Sequence, residues 1–301
     1  LQPIVLGLIV SFASSFCFAG NRSFASRPLV RSDPAIPTYI SLIVGVIASA
    51  AVMLALGQYS ALFSASFFIV LIFSVVGVFH FAVGRQLSFT AVRNVGANLA
   101  SGLISTQIVY SVLFAVLLLG EKANDGIILG AGLIMGGIVL LEGTIGAGKR
   151  GGNAKIGYIA GLGTGVIFGL TPVLIKYGLT LFKYFLTATF LAFASGLIFY
   201  ALVIPPRRVK SGMKLLSRSA ISYYIAAGIF GVGAQLTRFF ALSIAPLVIV
   251  APILASHPIF TIVLTRKVAR EFELFSLRTV SAIVIVVLGA VLVSLSSGIS
   301  I

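Results

Sequence analysis

The sequence predicts an all-α integral membrane protein whose ten transmembrane helices form two inverted five-helix repeats. Three observations predict it. Of the 301 residues, 59% are apolar and only 9% are charged, against roughly 25% charged in a soluble domain, and the mean hydropathy is +1.17. The chain divides into apolar runs of about the 20 residues needed to cross roughly 30 Å of hydrocarbon. A Gly-rich connector, GTIGAGKRGGNAKIG, separates five runs from five. This balance excludes a soluble enzyme, a disordered tail and a free-standing nucleic-acid binder, even with a net charge of +15. The single cysteine, Cys17, sits in an apolar run and has no internal disulfide partner.

Apolar runs and their breakers give the elements in order. The first runs from Ile4 to Gly20 and counts as a helix rather than a signal peptide, because no cleavage site and soluble domain follow it. The next are Ile36 to Leu56, Leu62 to Val83, Ala91 to Leu119, which is polar in its first half, and Ile127 to Leu141. After the connector come Ile156 to Lys176, Tyr184 to Ile204, Ile221 to Ala241, Leu247 to Thr265 and Leu277 to Leu295. The expected units are a first repeat over 1–142, a linker over 143–155 and a second repeat over 156–301.

A shift of 150 residues places Phe18-Ala19-Gly20-Asn21 on Phe168-Gly169-Leu170-Thr171, Phe89-Thr90-Ala91 on Phe239-Phe240-Ala241, and Glu121 on Glu271. An odd number of helices per repeat makes the second half cross in the opposite direction. That is the plan of secondary transporters that bind solute near the midplane between halves.

At this point the residues resemble a known family. Leu118-Leu119-Gly120-Glu121 followed by GAGLIMGGIVLL (130–141), then ALSIAPLVIVAPILASHPIF (241–260), Glu271 and LGAVLV (288–293), resemble the EamA type of the drug/metabolite transporter superfamily. The resemblance implies ten helices and a cavity for small organic solutes lined by the first, third and fourth helices of each repeat. One departure is Ile108, standing where the second half has Pro258, so a kink in the fourth helix needs another cause.

Charge sets the orientation. Taken over these spans, 17 of the 21 Lys and Arg fall on the side holding the first, third, fifth, seventh and ninth connections, Arg22 and Arg85 among them; Lys122, Lys176, Lys183 and Arg238 fall on the other. Positive connections stay in the cytoplasm, which places both termini outside, the reverse of the arrangement the resemblance implies. The basic excess itself suits anionic headgroups.

Polar residues within spans cost a few kcal/mol and face a cavity or another helix. Arg93, Asn94, Asn98, Ser101, Ser105 and Gln107 open the fourth run, several at steps of three and four, as either a cavity stripe or a set of interhelical bonds. The second half offers Gln235, Thr237, Arg238, Ser256 and His257. His257 either meets solute or caps the Leu254 carbonyl that Pro258 leaves without a donor. His80 carries the same pair of readings. Lys176 suits snorkelling, whereas the apolar run continues past Arg238, whose guanidinium suits an anion. Asn21 and Thr171 occupy matched places beside Gly20 and Pro172, where breaks in the first helix of each repeat would bare backbone groups. The six acids all lie near span ends; Glu121 and Glu271 match the family's acidic helix ends, with Lys122 and Arg270 as expected partners.

The substrate-binding candidates are therefore Asn21, His80, Asn94, Asn98, Gln107, Thr171, Gln235, Arg238 and His257. No cofactor, metal site or enzymatic motif is expected. Gly-rich pieces such as GLGTGVIFG (161–169) and GAGLIMGG lie inside spans, where small residues permit close packing. The expected function is a secondary transporter in the inner or plasma membrane, moving a small polar organic metabolite, amino-acid-like and zwitterionic or anionic, by alternating access. Its expected partners are that solute and membrane lipids, with no nucleic acid and the oligomeric state open. The alternatives are a membrane-embedded enzyme on lipid-linked substrates and a non-transporting scaffold.

Overall fold

The computed structural model describes residues 2–29, 32–142, 153–254, 256–268 and 277–296. Most of the expected linker, together with Arg270, Glu271 and Glu273, lies outside them. The spans are α1 (Pro3–Leu29), α2 (Ala35–Ala55), α3 (Phe67–Val95), α4 (Ala97–Ser105 continued by Gln107–Leu119) and α5 (Asp125–Glu142). Then follow α6 (Ala154–Leu181), α7 (Phe185–Val203), α8 (Arg218–Ile244), α9 (Leu247–Leu254 continued by His257–Val268) and α10 (Leu277–Ser296). A short basic helix, Pro206–Lys214, lies between α7 and α8.

Packing is reciprocal between the halves. Helix α1 lies along α8 and against α9, while α6 lies along α3 and against α4; α5 and α10 pair with each other. Small residues make the closest approaches. On α6, Gly161, Gly165 and Gly169 recur every fourth residue and receive Leu103, Thr106 and Tyr110 of α4; a Cβ at Gly161 would stand 2.8 Å from Leu103. Gly130 and Gly137 do the same for α10, while Gly132, Gly136 and Gly163 face no such neighbour.

Several helix boundaries differ from the sequence expectation, and charge accounts for two of the largest differences. Helix α1 continues past Gly20 to Leu29 and α3 past Val83 to Val95, carrying Arg22 and Arg85 into the bundle. Both had marked span ends because a charge lowers local hydropathy whether it meets water or a buried partner. Helix α4 begins at Ala97, not Ala91, because Gly96 has φ of +87°, a conformation that suits glycine and ends α3. The expected polar stripe is thereby split, with Arg93 and Asn94 on α3. Helix α8 extends to Ile244, so Arg238 stands inside it.

The expected breaks at Gly20 and Pro172 do not occur; α1 and α6 run through them. The interrupted helices are α4, at Thr106, and α9, just before His257, at matched positions of the two repeats. Proline explains only the second. In α4 the Thr106 hydroxyl donates to the Leu103 carbonyl at 2.8 Å, a back-bond that bends helices. In α9 the Leu254 carbonyl that Pro258 leaves open accepts from Ser15 Oγ of α1 at 3.1 Å. Ser15, not His257, is the cap.

One end of the bundle is clamped by two charges. Gly120 ends α4 with φ of +66°, and the next residue, Glu121, reaches the other repeat, where its carboxylate accepts the Leu247 and Val248 amides at 2.9 and 2.8 Å. These are open donors at the start of α9, where a helix favours negative charge. Lys176 of α6 donates to the carbonyls of Leu242 and Ala245, at the end of α8, both at 2.9 Å. Glu121 thus holds a helix end rather than Lys122, and Lys176 turns inward rather than out to headgroups.

Candidate functional site

Where the two repeats meet, a narrow cavity of about 20 Å³, room for about one water molecule, is lined by Phe18 and Arg22 of α1, Gln107 and Ser111 of α4, Phe168 and Pro172 of α6, Arg238 of α8, and Leu247, Ala251, Leu254 and His257 of α9. Phe18 and Phe168, Arg22 and Pro172, and Gln107 and His257 each stand 150 positions apart in the sequence. The cavity therefore sits where equivalent positions of the repeats face one another. Leu247 connects it to the clamp: the residue lines the cavity while its amide is bonded to Glu121.

One polar network is built around His80. This residue lies in Gly77–Gly84, a stretch of α3 wound as a π-helix, a rare winding frequent at functional sites. His80 Nδ1 is 2.7 Å from Thr171 Oγ1, whose own hydrogen goes to the Ile167 carbonyl at 2.9 Å. Since the threonine donates there, it accepts from Nδ1–H, which leaves Nε2 as the acceptor of a neutral ring. That nitrogen meets two donors, Arg238 Nη1 at 2.9 Å and Gln235 Nε2 at 3.1 Å. Helices α3, α6 and α8 are joined by this chain of bonds.

The network leaves specific atoms open. Arg238 is 2% exposed, and its Nε and Nη2 have no hydrogen-bond partner, nor does Gln235 Oε1. A second guanidinium, Arg22, 3% exposed, places Nη1 at 3.2 and 3.1 Å from the two ring nitrogens of His257. A third, Arg85, sits 5.6 and 5.7 Å from the ring centroids of Phe81 and Phe193, with Nη1 buried and unpartnered. The carboxylates whose surroundings are described lie elsewhere: Glu121 in the clamp, Asp33 paired with Arg208 at 3.0 Å, and Asp125 in the first turn of α5. No acid lines the cavity among the described residues.

Of the nine candidates, the structure gathers six. Gln107, Arg238 and His257 line the cavity, and His80, Thr171 and Gln235 form the network immediately behind Arg238. Asn21 stands apart, donating to the Ala227 carbonyl at 2.7 Å close to Arg85 across Gly231. Asn94 is outside the site altogether: it accepts the Asn153 amide at 2.9 Å and donates to the Thr90 carbonyl, fastening the end of α3 to the start of α6. Asn98 falls in the first turn of α4, and its side chain lies outside the described residues. Arg22 and Arg85 escaped the sequence reading. The signal that exposed Arg238 is weaker for both, since only Phe24-Ala25 follows Arg22 before Arg27, and only Leu87, Phe89, Ala91 and Val92, among polar residues, follow Arg85 before Arg93.

Comparison with known proteins agrees with this architecture. The model of the EamA-like transporter family matches residues 5–142 and again 155–295. A protein of known crystal structure superposes with a TM-score of 0.74 over 97% of each chain at 18% identity, a likeness of fold alone. It is one of 29 solved chains that match. No curated protein matches in sequence. With both halves matched, ten apolar helices in two repeats and a cavity between them, the chain belongs to the EamA-like transporter family, and is a multi-pass membrane transporter of the drug/metabolite transporter superfamily.

Proposed function

We propose that this chain moves a small polar organic metabolite, zwitterionic or anionic and with amino-acid-like solutes as the first class to try, by alternating access through the central cavity. The observation that carries the reading is the buried guanidinium of Arg238, whose Nε and Nη2 have no hydrogen-bond partner, in a cavity that no acid lines among the described residues. A buried cation is costly without a partner, and a solute bearing negative charge supplies that partner transiently. The cavity's place between inverted repeats supports a site opened to either side by rocking of one half on the other. The clamp at Glu121 and Lys176 closes one end: opening there requires α9 to leave the Glu121 carboxylate.

Counterflow in proteoliposomes tests this reading, using amino acids, carboxylates, phosphate esters, sugars and cationic drugs. Exchange of a zwitterionic or anionic class is expected. Cooperative melting with no class exchanged contradicts transport of such solutes. We further propose that the basic connections, including the short helix Pro206–Lys214, face the cytoplasm. A cysteine placed at Lys210 should react with an impermeant thiol reagent only after cells are permeabilised; labelling in intact cells reverses the assignment.

A further inference from the structure

We infer that Arg238 is a preassembled clamp for an oxoanion, so that the transported solute carries a carboxylate or phosphate group. The inference rests on the transport reading only in placing the solute in this cavity. A guanidinium has two edges able to grip a pair of oxygens, and the one formed by Nε and Nη2 lies along the side of the arginine stem. In Arg238 the remaining nitrogen, Nη1, is the one that His80 engages at 2.9 Å. Both atoms of the side edge are buried and unpartnered. The open atoms are thus a complete bidentate fork rather than scattered donors.

The neighbours hold that fork in place. His80 is fixed by Thr171 at its other nitrogen and contacts the Phe168 ring at a centroid distance of 4.1 Å. Gln235 shares the same acceptor. Arg238 lines the cavity, whereas His80 and Gln235 do not. Arg22 of α1 lines the same cavity, adding a second positive charge. Two charge-assisted bonds in parallel give both affinity and a geometric test that a neutral amide, ester or alcohol fails.

The test uses sodium phosphate and sodium acetate as probes, titrated at constant ionic strength against chloride, with melting of the detergent-purified full chain as readout. Trimethyl phosphate and acetamide are the uncharged controls. Stabilisation by at least one oxoanion and by neither control is expected in the wild type, with phosphate and acetate separating the two oxoanion classes. Arg238→Lys keeps the charge and loses the fork; it should raise the apparent Kd about 100-fold, the worth of two charge-assisted bonds. Equal stabilisation of Arg238→Lys and wild type, or of anion and uncharged control, overturns the inference, and the second comparison needs no variant. The two readings fail differently. Exchange only of neutral or cationic solutes, unchanged in Arg238→Gln, removes the clamp and leaves transport; oxoanion binding through Arg238 with no exchange leaves the clamp and removes transport.

Discussion

Among the described residues, the half-buried clamp and the buried cavity wall hold their charges on opposite principles. At the clamp every charge is matched: both Glu121 oxygens accept amides of α9, and Lys176 donates to two carbonyls at the end of α8. At the cavity the guanidinium of Arg238 spends one nitrogen on His80 and leaves a whole edge open. A satisfied buried charge holds the native arrangement together, and its loss strands its partners. A buried charge with open donors contributes little to that arrangement and is stabilised by what binds it. On the proposed function, the difference separates residues that keep the fold from residues that read the solute.

Substitutions turn the contrast into expected outcomes. The largest concerns flux. Arg238→Gln should reduce anion exchange at least 100-fold, about 3 kcal/mol or more for two charge-assisted bonds, while melting stays level or rises because an uncompensated buried cation is removed. Comparable loss of melting temperature would break the comparison. Next is Glu121→Ala, which leaves two amides without an acceptor and should cost about 3 kcal/mol in denaturant unfolding; Glu121→Gln, retaining one acceptor, should recover part of it. Lys176→Met removes one ammonium from two carbonyls and should cost about 2 kcal/mol by the same measurement. The smallest is Ser15→Ala, about 1 kcal/mol or less for a hydroxyl bonding between helices in a membrane, with exchange preserved. If Ser15→Ala abolished exchange at intact stability, the interruption of α9 would belong with the solute site rather than with the scaffold.

Much of this was legible in the sequence. Ten spans, the matching of Phe18 with Phe168, and the choice of His80, Gln235, Arg238 and His257 as candidates followed from apolar runs and from polar residues inside them. The misreadings share a cause. Hydropathy places a charge at a span end unless the apolar run visibly resumes, so Arg238 was recovered while Arg22 and Arg85 were assigned to connections. The bend of α4 was hidden because sequence advertises a proline and is nearly silent on a threonine back-bond opposite a glycine. Glu121 looked like a partner for the adjacent Lys122; its true partners are amides of the other repeat, a contact of long sequence separation with no local signature. Nor does composition show which edge of an arginine is occupied, since that depends on where α3 sets His80.

The most direct measurement is the position of an oxoanion in the protein itself. Crystals soaked in selenate, whose selenium is located by anomalous scattering, should show it in the cavity with oxygens about 2.7–2.9 Å from Nε and Nη2 of Arg238, and no such peak in Arg238→Gln. Selenate found only against exposed basic residues such as Arg207 and Arg208, with the cavity empty at saturating concentration, would contradict the account.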